Sequence, residues 1–251
     1  MRGLAEDVTV VVPARGRPDL TQRLLSSLGR ASRGCSVILV DDATPQPLSA
    51  KLHVPANLRL QVIRNTTNVG PAASRNVGFW SASTPFIAFT DNDVEVAPTW
   101  LATLYEHMRH APDDVAGVGG TVLDDGRNLV GRYATIMKLL DPYAHMGRIA
   151  YLVTANCLLR RHALIEVGGF DESFHRPGGE DTDLSFRLLR AGYRLELEPN
   201  AVVVHHYDAS MSVFFRQFIR YGTGCRKAME VLAEQPARSQ YPAVPPYAAL
   251  R

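Results

Sequence analysis

The chain has 251 residues, of which 46% are hydrophobic and 21% charged, and its formal net charge is +2. That length and apolar content support a proper core, and the near-neutral balance points away from nucleic-acid binding and from an acidic tail. Three scattered cysteines, Cys35, Cys157 and Cys225, form no CxxC pair, so neither a zinc site nor a disulfide framework is indicated and a reducing cytoplasm is the expected location.

The first apolar run, Val8–Val12, is too short for a signal segment or a membrane span, and nothing later approaches ~18 apolar residues. It predicts a buried strand ended by Pro13. Pro18 and Asp19 then open a helix whose stripe is Leu20, Leu24, Leu25 and Leu28. Val37–Val40 predicts a second buried strand, ended by Asp41-Asp42, and Leu58–Ile63 a third. Gly70-Pro71 starts a helix that carries Arg75 and Asn76. Phe86–Phe89 predicts a fourth strand, which runs out at Thr90-Asp91-Asn92-Asp93.

Continuous apolar strands separated by helices predict an α/β fold with a mostly parallel sheet covered on both faces. Ligands bind such sheets at the carboxyl ends of the strands, where Asp41-Asp42 and Asp91/Asp93 both fall. The second half is more mixed. Residues 111–150 are expected to be loops with a short strand near Val115–Val122, followed by a strand over Tyr151–Leu159 and a turn at Gly168-Gly169-Phe170. Thr182–Ala191 predicts a helix stopped by Gly192, and Ala201–His205 a strand. Ser212–Leu232 predicts a helix broken near Gly222 and Gly224. The expected organisation is a single domain over 1–235, its first half ending at about 110, then a Pro-rich tail over 236–251.

Some of these residues carry chemistry. Two carboxylates one residue apart, Asp91 and Asp93, can share a hard divalent cation such as Mn²⁺ or Mg²⁺, although an acidic turn capping the next helix has the same spelling. Gly178-Gly179-Glu180-Asp181 either caps a helix with negative charge or supplies a general base, and Asp183 and Arg187 are spaced to pair at i, i+4. His205-His206 either ends a strand in solvent or completes a metal site. Arg15 and Arg17 either meet phosphate or are solvated.

In order along the chain, these residues resemble the family 2 glycosyltransferases, from Val8 to about Tyr221. Val-Val-Val-Pro13-Ala-Arg-Gly-Arg17 is similar to the family's first strand and loop, and Val40-Asp41-Asp42-Ala43-Thr44 to its VDDxS/T strand end. Asn68-Val-Gly70-Pro-Ala-Ala-Ser-Arg75-Asn76-Val-Gly78 is close to NxGxxxxRNxG. Asp91-Asn92-Asp93 occupies the place of the DxD motif. Gly168–Phe174 with Gly179-Glu180-Asp181-Thr-Asp183-Leu-Ser-Phe-Arg187 matches the acceptor-side block, and Pro199–His205 a strand ending in a metal-binding histidine. The pattern departs at Arg15-Gly16, where an aromatic-Asn pair is common, and at Pro177, where some relatives carry Trp.

The resemblance implies the GT-A fold, a Rossmann-like nucleotide-binding sheet with a mixed acceptor-side half. It further implies inverting transfer from a UDP-, dTDP- or GDP-linked sugar to a hydroxyl of a saccharide, lipid-linked or small natural-product acceptor. Asp181 is the implied base. Pro13, Arg15, Asp42, Gly70, Arg75, Asp91 and Asn92 are implied on the donor, Gly179 and Glu180 on the acceptor, and Asp91, Asp93 and His205 on Mn²⁺ or Mg²⁺. His206 is one residue from the same position.

Two other classes fit parts of this pattern. A non-catalytic nucleotide-sugar-binding protein would share the fold. A haloacid-dehalogenase-type phosphatase would share the strand with Asp91-x-Asp93, but Glu95 stands where its motif expects Thr or Val. The segment Met211–Tyr221 alternates aromatics with Arg216 and Arg220. It reads either as a helix lying on an anionic membrane or as one packing on the catalytic domain or on a second copy in a homodimer.

Overall fold

A computed structural model describes residues 3–31, 34–137, 140, 142–145, 148–207 and 210–233; the expected tail over 236–251 lies outside them. After a four-residue helix, α1 (Leu4–Asp7), the chain alternates β1 (Val8–Ala14), α2 (Pro18–Ala31), β2 (Ser36–Asp41), β3 (Arg59–Arg64), α3 (Pro71–Ser81) and β4 (Phe86–Phe89). β1 does not stop at Pro13. It stays paired with β2 through Ala14, where Ala14 faces Asp41. A proline tolerates a strand where its missing N–H is not needed.

Next come β5 (Val94–Val96), α4 (Trp100–His110), β6 (Val115–Asp124), α5 (Leu129–Ile136), β7 (Tyr143–His145), β8 (Arg148–Tyr151), β9 (Cys157–Arg160) and α6 (Arg161–Glu166). The chain finishes with α7 (Glu180–Arg190), β10 (Arg194–His205) and α8 (Met211–Ala233). One eight-stranded sheet has the order β3-β2-β1-β4-β9-β6-β10-β5, and β7 pairs with β8 in a separate hairpin. β1 is parallel to β2 and β4, and β10 is parallel to β6, while β9 and β5 run antiparallel to their neighbours.

The sheet therefore carries apolar residues on both faces. On one side Leu24, Leu28, Trp100, Leu104 and Met108 of α2 and α4 pack on Val10, Val12 and Val118. On the other, Phe79 of α3, Leu164 of α6 and Leu184 and Leu188 of α7 pack on Val11, Ile87 and Phe89. Burial on both sides is why β1, β2 and β4 read as unbroken apolar runs.

Five expectations change in the second half. Residues 111–150 hold a ten-residue central strand, β6, and the helix α5, whose N-terminus is capped by the Asn128 side chain accepting from the Gly131 N–H at 2.9 Å. Tyr151–Leu159 is not one strand: β8 ends at Tyr151, and β9 begins at Cys157 in the other sheet. β10 starts well before Ala201, at Arg194, and absorbs Pro199-Asn200 in a register shift between Leu197 and Val202.

α8 runs unbroken through Gly222 and Gly224. A Cβ at Gly224 would meet the Gly178 carbonyl oxygen at 1.8 Å, and one at Gly179 would meet the Gly224 backbone at 2.4 Å. These glycines let helix and loop backbones touch; they do not end the helix. α7 likewise starts at Glu180, so Glu180 and Asp181 lie in its first turn.

Candidate active site

Strand direction gathers the site. β1, β2, β4, β6 and β10 share one direction, so Ala14, Asp41, Phe89, Asp124 and His205 end at one edge of the sheet. β5 begins at that edge, with Val94 opposite His205. The His206 N–H donates to the Asp93 carbonyl at 2.9 Å, tying the two acidic and imidazole segments together. An open cleft of about 670 Å³ lies above this edge. Pro13, Arg15, Asp42 and Gly70 line it together with Arg75, Asp91 and Asn92, so every expected donor-side residue reaches the same cavity.

Several of these side chains have their hydrogen-bonding capacity used internally. The buried Asp42 carboxylate accepts from the Asn65 amide at 2.9 Å and from the Val69 and Gly70 N–H groups at 2.9 and 3.0 Å. It thereby folds the loop before α3 over the end of β2. Gly70 adopts φ +89, and a Cβ there would lie 2.3 Å from the His175 carbonyl oxygen, so only glycine allows that approach. Asn92 donates to Thr21 Oγ1 at 3.1 Å and to the Gly16 carbonyl at 3.3 Å. Burial works against charge on Asp41, but hydrogen bonds from Thr44, Leu48 and Arg64 outweigh it and hold the carboxyl below its usual range.

Arg75 is the link between the two halves. Its guanidinium donates to Asp91 Oδ1 at 2.8 Å and to Glu180 Oε1 at 2.9 Å, and it lies 5.7 Å from the centre of the Phe170 ring. The side chain is only 4% exposed, and the two carboxylates hold it charged. Glu180 is fully engaged, since its other oxygen accepts the Gly178 N–H at 2.6 Å. A buried arginine with two carboxylate partners is costly to disrupt from either side.

One oxygen of each strand-end carboxylate faces elsewhere. Asp91, Asp93 and His205 each present a ligand atom, and the three atoms lie within 4.8 Å of one another. His205 Nε2 is 3.4 Å from Asp93 Oδ1, while its Nδ1 is buried without a partner. Two carboxylates with the imidazole Nε2 beside them suit a divalent ion. His206 is turned away, with Nε2 on Glu95 at 2.8 Å and Nδ1 on Asp125 at 2.9 Å. The neighbouring histidines are thus separated by their partners: one clamps β10 to β5 and the segment after β6, and the other faces the acidic pair.

A smaller recess of about 80 Å³ opens off the cleft and shares Arg75, Asp91, Pro177, His205 and Tyr221 with it. Gly179, Glu180 and Asp181 line this recess. Burial, reinforced by the Glu180 charge and only partly offset by Arg75, pushes the Asp181 carboxyl up to about 7. The expected Asp183–Arg187 pair is present at 2.6 Å, and Arg187 also donates to the Val167 and Gly169 carbonyls. That pair fixes the turn at 168–170; it does not reach the cleft.

Some cleft residues are ones that the sequence reading does not assign. Arg17, left there between phosphate and solvent, donates to Asp93 Oδ2 at 2.9 Å. Gln217, Arg220 and Tyr221 of α8 line the cleft, with Arg220 Nε buried and unpartnered. In the sequence these three are hidden inside an aromatic and basic stripe. Their inward face shows only once Gly224 docks α8 on the Gly178-Gly179 turn.

Residues 9–168 match the glycosyl transferase family 2, and residues 136–209 match the N-terminal domain of galactosyltransferase. A pre-mycofactocin glycosyltransferase from Mycobacterium tuberculosis is 35% identical over 222 residues, covering 86% of this chain and 46% of that protein. The succinoglycan biosynthesis protein ExoO of Rhizobium meliloti is 28% identical over 212 residues, covering 80% of this chain and 60% of its own. The chain thus spans about half the length of these relatives. Among solved structures, a mannosyltransferase from Pyrobaculum calidifontis in complex with GDP-Man and Mn²⁺ superposes with a TM-score of 0.71 at 18% identity. It covers 96% of this chain and 66% of its own. The fold is that of the GT-A glycosyltransferases.

Proposed function

Because the chain belongs to glycosyl transferase family 2, we propose that it transfers a glycosyl residue from a nucleoside-diphosphate sugar to an acceptor hydroxyl with inversion at the anomeric carbon. The observation that carries this reading is the junction of cleft and recess: the Asp91–Asp93–His205 group and Asp181 line connected cavities. That junction supports a reading in which the donor and a general base stand side by side.

In this mechanism Asp181 accepts the proton of the acceptor hydroxyl while that oxygen attacks the anomeric carbon. The bond from that carbon to the diphosphate oxygen breaks, and its electron pair leaves with the nucleoside diphosphate. A divalent ion on Asp91, Asp93 and His205 would supply charge neutralisation to that leaving group. Arg75 holds Asp91 and Glu180 in fixed relation, and Glu180 in turn holds the Gly178 N–H, so the two cavities keep their spacing. Burial of Asp181 suits its role, since a base is most effective when its pKa lies near the working pH.

The donor's nucleotide and sugar follow from no single side chain. GDP-Man in the structural relative and UDP in a second one, GalNAc-T7 with UDP, GalNAc and Mn²⁺, whose match covers 80% of this chain and 43% of that one with a TM-score of 0.61, make both carriers first choices. Pre-mycofactocin, named in a relative, is a natural first acceptor to try alongside saccharides. The test is release of nucleoside diphosphate from a panel of UDP-, dTDP- and GDP-sugars with Mn²⁺, Mg²⁺ or EDTA. The reading requires acceptor-dependent release with one nucleotide class, abolished by EDTA. A donor-induced rise in melting temperature without turnover on any acceptor would favour a protein that only binds nucleotide sugar.

A further inference from the structure

We propose that the joint outer face of α5 and α8 docks on an anionic lipid bilayer. Seven of the eleven exposed large hydrophobic side chains among the described residues belong to this one region. α5 and its C-cap contribute Leu129, Tyr133, Ile136 and Met137, and Leu129 and Ile136 are 79% and 76% exposed. α8 contributes Met211, Phe215 and Ile219, spaced at i, i+4 and i+8 along one side. The helices touch, since the Tyr133 and Phe214 rings meet edge-on with centroids 5.7 Å apart, so the two stripes adjoin. A contiguous apolar face of this kind marks an interaction surface, unlike scattered single exposures.

Charge selects the occupant. No Asp or Glu occurs between Arg127 and Met137 or between Met211 and Met229, and the exposed cations there include Arg132 and Arg216. Two copies meeting through this face about a two-fold axis would bring arginines against arginines with no carboxylate in either stretch to answer them. Lipid phosphates answer them directly, and each arginine near an anionic surface contributes roughly five-fold in partitioning. The arrangement of apolar side chains rimmed by arginine is that of an interfacial helix pair. No described helix is long and apolar enough to cross a membrane, and the proposed contact is with the surface. The opposite side of α8 carries Gln217, Arg220 and Tyr221 into the cleft, so docking sets the cleft mouth beside the lipid headgroups. None of this depends on which sugar is transferred.

The test is co-sedimentation of the 251-residue chain with phosphatidylcholine vesicles, with or without phosphatidylglycerol. Binding is expected to the anionic vesicles and to weaken as salt is added. Arg132→Gln with Arg216→Gln should lower it by roughly ten-fold or more, and Ile136→Glu with Phe215→Glu should remove it. The milder Ile136→Ser with Phe215→Ser replaces the latter pair if a melting curve is no longer cooperative. The proposal is overturned if the wild-type chain stays in the supernatant with both vesicles, or if the variants sediment as wild type does. It is equally overturned if the chain is a dimer that Ile136→Glu with Phe215→Glu makes monomeric without any vesicle binding.

Discussion

The cleft has two walls built on different principles. On the wall made by the turns after β1, β2 and β4, polar groups are mostly satisfied within the protein. Asp41, Asp42 and Asn92 each accept or donate two or more internal hydrogen bonds. On the wall made by α7, the end of β10 and α8, groups are left in need. His205 Nδ1 and Arg220 Nε are buried without partners, and the half-buried Asp181 has a carboxyl that desolvation and the Glu180 charge push up to about 7. The difference separates shape from chemistry. Changes on the first wall should act on stability and on the shape of the donor site, and changes on the second should act on turnover.

The largest expected effect is on the second wall. Asp181→Asn removes the proposed proton acceptor, and the turnover number should fall by roughly 10²- to 10⁴-fold, measured as nucleoside-diphosphate release at saturating donor. Wild-type turnover should rise with pH up to a limb near 7, because the carboxyl that burial raises to about 7 must be ionised to act; the residual rate of the variant should lack that limb. The stability sign runs opposite to the activity. A carboxyl raised above its unfolded value favours the fold at low pH, and that contribution is lost between about pH 4 and 7. Asp181→Asn should therefore raise the melting temperature at pH 8 and change it little near pH 4. A fall in melting temperature at pH 8 with turnover retained would place Asp181 on the structural side of the comparison.

Arg75 belongs to both walls. Arg75→Met strands the Glu180 carboxylate in a buried site and should lower stability by about 3 kcal/mol, read from denaturant unfolding. Pairing it with Glu180→Gln should recover part of that loss without restoring turnover. On the first wall, Asp42→Ala leaves the Val69 and Gly70 N–H groups without their acceptor and should cost about 1–3 kcal/mol. Its donor affinity should fall while the turnover number at saturating donor changes much less. A large loss in turnover with full stability would assign Asp42 to the chemistry instead.

The same division explains what the sequence discloses. β1, β2 and β4 are buried on both faces, so their apolar runs and the acidic residues that end them are visible without coordinates. The gathering of Asp91, Asp93 and His205 is legible through the family resemblance, because strand order, not spacing, brings His205 to the pair. β6 is harder to see: Gly117, Gly119 and Gly120 dilute its signal, and they are there because Leu159, Leu152 and the Ala201 carbonyl press on the backbone. α4 has an ordinary helical stripe in Trp100, Leu101, Leu104, Tyr105 and Met108. The cleft face of α8 has no local signature at all, since Gln217, Arg220 and Tyr221 acquire their direction from the Gly178–Gly224 contact.

The smallest expected effect concerns Arg17, an exposed cation on the acidic pair. Arg17 sits in the left-handed region at φ +53, after Gly16 at φ +67, on a turn pinned by the Gly16 N–H donating to Thr44 Oγ1 at 2.9 Å. Its side chain is 42% exposed and makes one hydrogen bond to Asp93. Arg75, by contrast, is buried between two carboxylates and cannot leave. A divalent ion on Asp93 would compete with Arg17 for the same carboxylate and repel its charge, so Arg17 must give way for the ion to bind. Arg17→Ala should then strengthen Mn²⁺ binding in the absence of nucleotide by roughly two- to five-fold, the range expected from an exposed ion pair. The measurement is free Mn²⁺ by electron paramagnetic resonance, with Asp93→Ala as the control that should lose binding. Weaker Mn²⁺ binding in Arg17→Ala would mean that the arginine orients Asp93 for the ion instead of competing with it. In that case the first wall would reach into the chemistry after all.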